Sequence, residues 1–212
     1  MSRGEYGTLE PELMGEKLGK IRAEEFHRAL KVEGITDIEN FEYVDTRVEA
    51  NQETIQKVKK SIELFKPSII FAPEGIYSYY PHKDHVITGL IIYRILKNMA
   101  KKDRPTLYMY HSYVNTNYFP MVYWRRQSKA LKEHKSQYYM LLPLGPLRFL
   151  FGFYFGFRLH PKYHFYPAEA FRKVDFQLDE SHQPGLKYRI IGRIASKLGK
   201  IMNKTITTRV KE

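Results

Sequence analysis

Apolar positions recur at helical spacing from Pro11 to Glu33, where Leu18, Ile21, Phe26, Ala29 and Leu30 share a face and Gly34 supplies a stop. A short strand-like stretch follows, Ile38 to Val44, ending at Asp45. The next helix is predicted over about Gln52 to Phe65: Ile55, Val58, Ile62 and Phe65 line one face, Lys57, Lys59 and Lys60 lie on the others, and Pro67 ends it. Ser68 to Ala72 (S-I-I-F-A) is a continuous apolar run, the pattern of a strand buried on both faces of a parallel sheet. A loop from Pro73 to His85 leads into a third helix, Val86 to about Met99, and Thr106 to Val114 is again strand-like. This alternation with short connections predicts a layered α/β sheet. Ligands of such sheets sit beyond the carboxyl ends of the strands, so chemistry is to be sought in the loop after Ala72.

The last third reads differently. Met140 to Leu159 is strongly apolar but is broken by Pro143, Pro146 and three glycines, with Arg148 inside, so it does not read as a membrane span. It either packs on the domain or dips into a membrane interface. Leu186 to Asn203 reads as a basic amphipathic helix: Leu186, Ile190, Ile194, Leu198 and Ile201 form a stripe flanked by Lys187, Arg189, Arg193, Lys197 and Lys200. That pattern suits a helix lying on a membrane surface, and equally one that completes the core or a subunit contact in a homo-oligomer.

Composition narrows the chemistry. A chain of 212 residues that is 43% hydrophobic and 15% aromatic can bury a core of one domain, with or without an appendage. Its 35 Lys and Arg against 23 Asp and Glu leave a net charge of +12, which favours anionic partners: nucleic acid, a phospholipid surface or a phosphorylated substrate. Cys is absent, which excludes disulfides, thiolate metal sites and thiol nucleophiles. Any metal is left to His and carboxylate. The start, M-S-R-G-E-Y-G, shows no apolar signal-peptide core, so a cytoplasmic location, free or peripheral to a membrane, is the default expectation.

The most informative segment is Tyr79 to His85, Y-Y-P-H-K-D-H, with two histidines three apart and an aspartate between them. Neutral imidazole is a first-choice zinc ligand, a nearby carboxylate can fix its tautomer, and imidazole is suited to proton transfer near neutral pH. The alternative reading is a polar loop in which Asp84 caps the following helix.

P-H-K-D-H after S-I-I-F-A-P resembles the P/G-H-P-D-H segment of the LmbE-like, or PIG-L, zinc-dependent de-N-acetylases. Other stretches fall in that family's order. Ser2 to Gly7 (S-R-G-E-Y-G) resembles its T-x-G-E-x-G segment, and Gly19 to Leu30 its G-x-x-R-x-x-E-x-x-x-A helix. Lys129 to Gln137 resembles its K-x-x-A-L-x-x-H-x-S-Q, and Glu169 to Phe171 its late E-x-F. The likeness covers roughly Ser2 to Val174. It implies a three-layer, Rossmann-like α/β domain with a mostly parallel sheet over residues 1–175, its N-terminal strands missing; residues 176–212 read by their own pattern as a basic amphipathic tail.

The resemblance also implies roles. His85 takes the position of the third zinc ligand, with another divalent metal as a substitute for zinc. His82 takes that of the histidine that polarises the amide carbonyl and protonates the leaving amine, and Asp84 that of the residue bonded to it. Tyr80 matches an active-site tyrosine of some members. Arg22 and Asp45 lie where some members contact sugar or inositol; the alternative is a helix-surface ion pair with Glu25 and a turn aspartate. Lys83 stands where the family has proline, and His134 is read as structural.

The family's opening A-H-P-D-D-E, which supplies two zinc ligands and the general base, has no counterpart in this chain. The start is either a truncated reading of a longer protein or a domain that has lost its catalytic beginning, and truncation is favoured. The implied activity is hydrolysis of an N-acetyl group from an N-acetylglucosamine-type sugar, free or on an inositol phospholipid. With one family ligand of three, this chain is expected to bind zinc weakly and to be inactive. Two other classes compete: a catalytically incomplete scaffold of the same fold, and a basic nucleic-acid-binding protein. The latter is disfavoured because no RNP, KH or helix-turn-helix pattern is found.

Overall fold

The computed structural model describes residues 1–8, 10–80, 82–114, 116–118, 120, 123–137, 150, 153, 168–177, 185–186, 190, 192–194 and 197. The chain divides into two compact units, Met1 with Thr46–Tyr118 and Ala170–Glu212, and Ser2–Asp45 with Phe119–Glu169.

The first unit is built on β1 (Ile69–Pro73), β2 (Thr106–Tyr110) and β3 (Arg172–Lys173), in that order across one sheet. Two helices belong to it, α2 (Gln52–Phe65) and α3 (Lys83–Lys97). Asn51 begins α2 by accepting the Thr54 amide on its side chain (2.9 Å). α3 carries the crossover from β1 to β2, which pair in parallel from Ile69 opposite Thr106 to Pro73 opposite Tyr110. The core is Ala72, Tyr93, Leu96, Leu107, Met109 and Val174, with Ile62, Ile70, Ile92, Met99 and Phe176 packed against it. Its stabilisation is the removal of this apolar surface from water.

The second unit pairs α1 (Glu16–Glu33) with α4 (Trp124–Glu133). A 3-10 turn, Pro11–Leu13, precedes α1, and Gly15 at φ 86° separates the two. Arg22 reaches from α1 to the carbonyls of Gly4 and Gly7, the latter at 2.6 Å. Buried Glu25 accepts both the backbone N–H (2.8 Å) and the hydroxyl (2.7 Å) of Ser136. The motif segments that carry Gly4 with Gly7 and Ser136 are therefore both fastened to α1.

The sheet overturns the expected fold. Among the described residues it has three strands, and β1–β2 is its one parallel pairing; β3 runs antiparallel to β2, Met109 opposite Arg172. The described architecture is a small α/β domain with a mixed sheet, and the expectation of a mostly parallel sheet in a three-layer domain is withdrawn. The third strand is two charged residues, which no apolar run announces. It is held because the buried Arg172 side chain meets Glu74. Nor is β1 buried on both faces: Ile69 is 48% and Phe71 51% exposed, while Ala72 is buried. Phe71 instead stacks on its cross-strand neighbour Tyr108 at 5.4 Å.

Three element expectations also change. Ile38 to Val44 forms a single parallel bridge, Tyr43 with Ser2, and Glu42 sits at φ 52°, outside strand geometry. The second strand stops at Tyr110 because His111 turns to φ 64°. α3 begins at Lys83 with His82 as its N-cap, so Asp84 lies inside the first turn and does not cap the helix. Most of Met140–Leu159, and most of the tail read as Leu186–Asn203, lie outside the described residues. No described helix is long and apolar enough to cross a membrane.

Candidate active site and metal centre

The carboxyl end of β1 runs into the loop that carries the histidine motif, and two glycines set how closely α3 approaches it. A Cβ on Gly89 would meet the Pro73 carbonyl and the Gly75 amide, and one on Gly75 would press on the backbone of Leu90. The helix therefore lies directly against the strand end. Glu74, fully buried, bonds Arg172 at 2.7 and 3.0 Å and accepts the Ile76 amide at 2.9 Å. The loop then pairs with the segment after β2: Tyr79 N–H donates to the His111 carbonyl (3.0 Å), and Ser78 bridges Ser112.

Asp84 is 3% exposed and braces a chain segment far away in sequence. Its carboxylate accepts the Thr46 amide at 2.9 Å and the Val48 amide at 3.3 Å. Lys83 donates to the Thr46 carbonyl at 3.1 Å and so ties the same segment down.

Around this brace lies a cluster of rings. His82 and His85 have centroids 5.6 Å apart, and His85 and His111 are stacked at 6.2 Å. Tyr80 lies 5.1 Å from both His85 and His111, and Tyr79 lies 5.4 Å from His111. Burial, reinforced by His82, His111 and the N-terminal amine, lowers the His85 imidazole to about 4, so it is neutral at physiological pH. Its Nδ1 is buried with no hydrogen-bond partner. A neutral imidazole with an unsatisfied ring nitrogen beside another histidine is a donor short of an acceptor of its lone pair, as expected of a metal ligand.

A second grouping bears on metal binding. Asp45, His82 and Asp84 each offer an atom within 4.8 Å of the others, a nitrogen and carboxylate set suited to a zinc-like divalent ion. The grouping follows from local chain geometry, since Asp45 is peptide-bonded to Thr46 and Thr46 donates to Asp84. The donors present thus fit a metal, and they exceed the single ligand counted from the sequence motif.

Of the residues singled out from sequence, His82, Asp84, His85 and Tyr80 come together on one loop and helix start. Asp45 joins His82 and Asp84 as a candidate donor. Arg22 uses its guanidinium on the carbonyls of Gly4 and Gly7. His134 is the C-cap residue of α4, where burial lowers its imidazole against the raising effect of Glu25. His111 carried no functional reading from sequence and yet lies against His85, Tyr79 and Tyr80. Its one signal was position, immediately after a strand's carboxyl end.

The profile of the PIG-L family, described as GlcNAc-PI de-N-acetylase, matches residues 1–96. Over 99 residues the chain is 31% identical to a probable N-acetyl-alpha-D-glucosaminyl L-malate deacetylase 2 of Bacillus anthracis, a match covering 44% of this chain and 41% of that protein. The chain thus spans about two fifths of the curated relative's length. In fold it is similar to the N,N'-diacetylchitobiose deacetylase of Pyrococcus horikoshii, with a TM-score of 0.72 at 21% identity over 88% of this chain and 74% of the other. A conserved protein of Thermus thermophilus gives 0.64 at 18% identity, over 82% and 79%. The PIG-L profile thus matches the region that holds the histidine loop and α3 up to Leu96, on a fold similar to those two structures.

Proposed function

We propose that the chain carries the histidine half of a metal-dependent amidohydrolase site acting on an N-acetylated amino sugar. The observation that carries this reading is the loop after β1, where half-buried His85 is neutral, its Nδ1 buried and unsatisfied, beside His82 and the Asp84 brace. The ion would be held by His85. When bound, a divalent metal supplies Lewis-acid activation of water and of an amide carbonyl.

The chain's own residues do the rest. His82, at the N-cap of α3, would hydrogen-bond a developing oxyanion and give a proton to the departing amine. Asp84, held by two backbone amides, keeps His82 and His85 on a fixed turn. Tyr80, 38% exposed and with its ring near-parallel to His82, would contact the sugar. Support for the N-acetylglucosamine class comes from the family description and from the names of the similar proteins.

Acetate release from N-acetylglucosamine, N,N'-diacetylchitobiose and GlcNAc-inositol in the presence of zinc tests the reading. Release that His82→Ala and His85→Ala abolish supports it. Metal binding without release from any of the three would leave a catalytically incomplete protein of the same fold.

A further inference from the structure

The outer side of α4 carries chemistry that the deacetylase reading does not use. Its inner positions, Gln127, Ala130, Leu131 and His134, are buried or half-buried, as the side facing α1 must be. Arg125, Arg126, Lys129 and Lys132 are exposed, and none pairs with an acid among the described residues. The helix has one acid, Glu133, and Arg28 takes it at 3.3 Å. Among the described residues, four cations thus stand together without a local counter-charge. At the start of the helix Tyr123 is 84% and Trp124 44% exposed, with the Arg125 guanidinium 5.6 Å from the Trp124 ring.

We propose that this side of α4 docks on an anionic phospholipid surface, its cations among the headgroups and Tyr123 and Trp124 at the boundary with the acyl chains. Tyr and Trp combine an apolar ring with a polar tip and collect at that boundary. Each cation near an anionic leaflet strengthens binding about fivefold, and the net charge of +12 draws the chain toward such a surface. Single-stranded nucleic acid is the less suited occupant. It needs a groove that follows the backbone with rings placed in succession, whereas α4 offers one helix side with its two rings at one end. The inference does not depend on the deacetylase reading.

Trp124 is the chain's one tryptophan, so its fluorescence reports on this surface directly. The full chain is titrated with phosphatidylcholine vesicles, with and without phosphatidylserine, and binding is followed in parallel by co-sedimentation. The expected result is a blue shift of Trp124 on phosphatidylserine vesicles that salt reverses. Arg125→Gln, Arg126→Gln and Lys129→Gln together, at exposed positions that circular dichroism can show to leave the fold intact, should weaken binding about a hundredfold. No blue shift, or an equal one on phosphatidylcholine alone, overturns the proposal. So does sedimentation that persists with Trp124 unshifted, which would place the contact elsewhere. Fluorescence quenching by single-stranded DNA with no response to vesicles overturns it in favour of nucleic acid.

Discussion

Arg172→Met removes one partner of the best-buried ion pair among the described residues and leaves the Glu74 carboxylate without its cation. Glu74 is 0% and Arg172 2% exposed, and two bonds of 2.7 and 3.0 Å join them. Stranding one charge of such a pair costs about 3–5 kcal/mol. Glu74→Met strands the guanidinium, which also lies 5.2 Å from the Tyr77 ring. It further frees the Ile76 amide, adding about 1 kcal/mol. The double variant Glu74→Met/Arg172→Met strands no charge and should lose less than either single one, a coupling of about 2–3 kcal/mol. Urea denaturation measures all four proteins. With a slope of about 1–3 kcal/mol per molar, each single change should lower the midpoint by about 2 M. Single losses below about 1 kcal/mol, or losses that simply add, would refute the argument that this pair anchors the loop after β1.

The remaining expectations are smaller. Asp84→Ala leaves the amides of Thr46 and Val48 unpaired and should cost about 2–4 kcal/mol in a thermal melt, with Asp84→Asn recovering part of it. His85 is held near 4 against an ordinary 6.5, so the unfolded chain takes up its proton first. Stability from this group is complete above about pH 6.5 and falls by about 3 kcal/mol as pH drops toward 4. His85→Asn should flatten that part of the pH–stability curve, and an unchanged curve would contradict the assignment. Gly89→Ala drives a Cβ into the Pro73 carbonyl and should destabilise by about 1–3 kcal/mol in denaturant, despite alanine's better helix propensity.

The readable parts of the chain were those written in local pattern. The amphipathic spacing of Ile55, Val58, Ile62 and Phe65, with Pro67 as the stop, made α2 (Gln52–Phe65) readable. The run S-I-I-F-A followed by a polar loop located the histidines at a strand's carboxyl end. What escaped reading depends on distant partners. Arg172 is 98 residues from Glu74, so its burial, and with it the antiparallel third strand, leaves no trace in a hydrophobicity pattern. Asp84 looked like a helix cap because Thr46 and Val48, its real partners, lie 38 and 36 residues earlier. His111 reaches the site through the pairing of Tyr79 with the segment after β2, a register that neither sequence segment states alone.

The central claim is that the loop after β1 is a metal centre with His85 as a ligand. Titration of the full chain with cobalt, read by its visible absorption and by calorimetry, tests this most directly. The account predicts one ion bound per chain, loss of binding in His85→Asn, and retention of binding in a control, His27→Asn, whose ring is exposed on α1. No saturable uptake by the unaltered chain, or uptake indifferent to the change at His85, would contradict it.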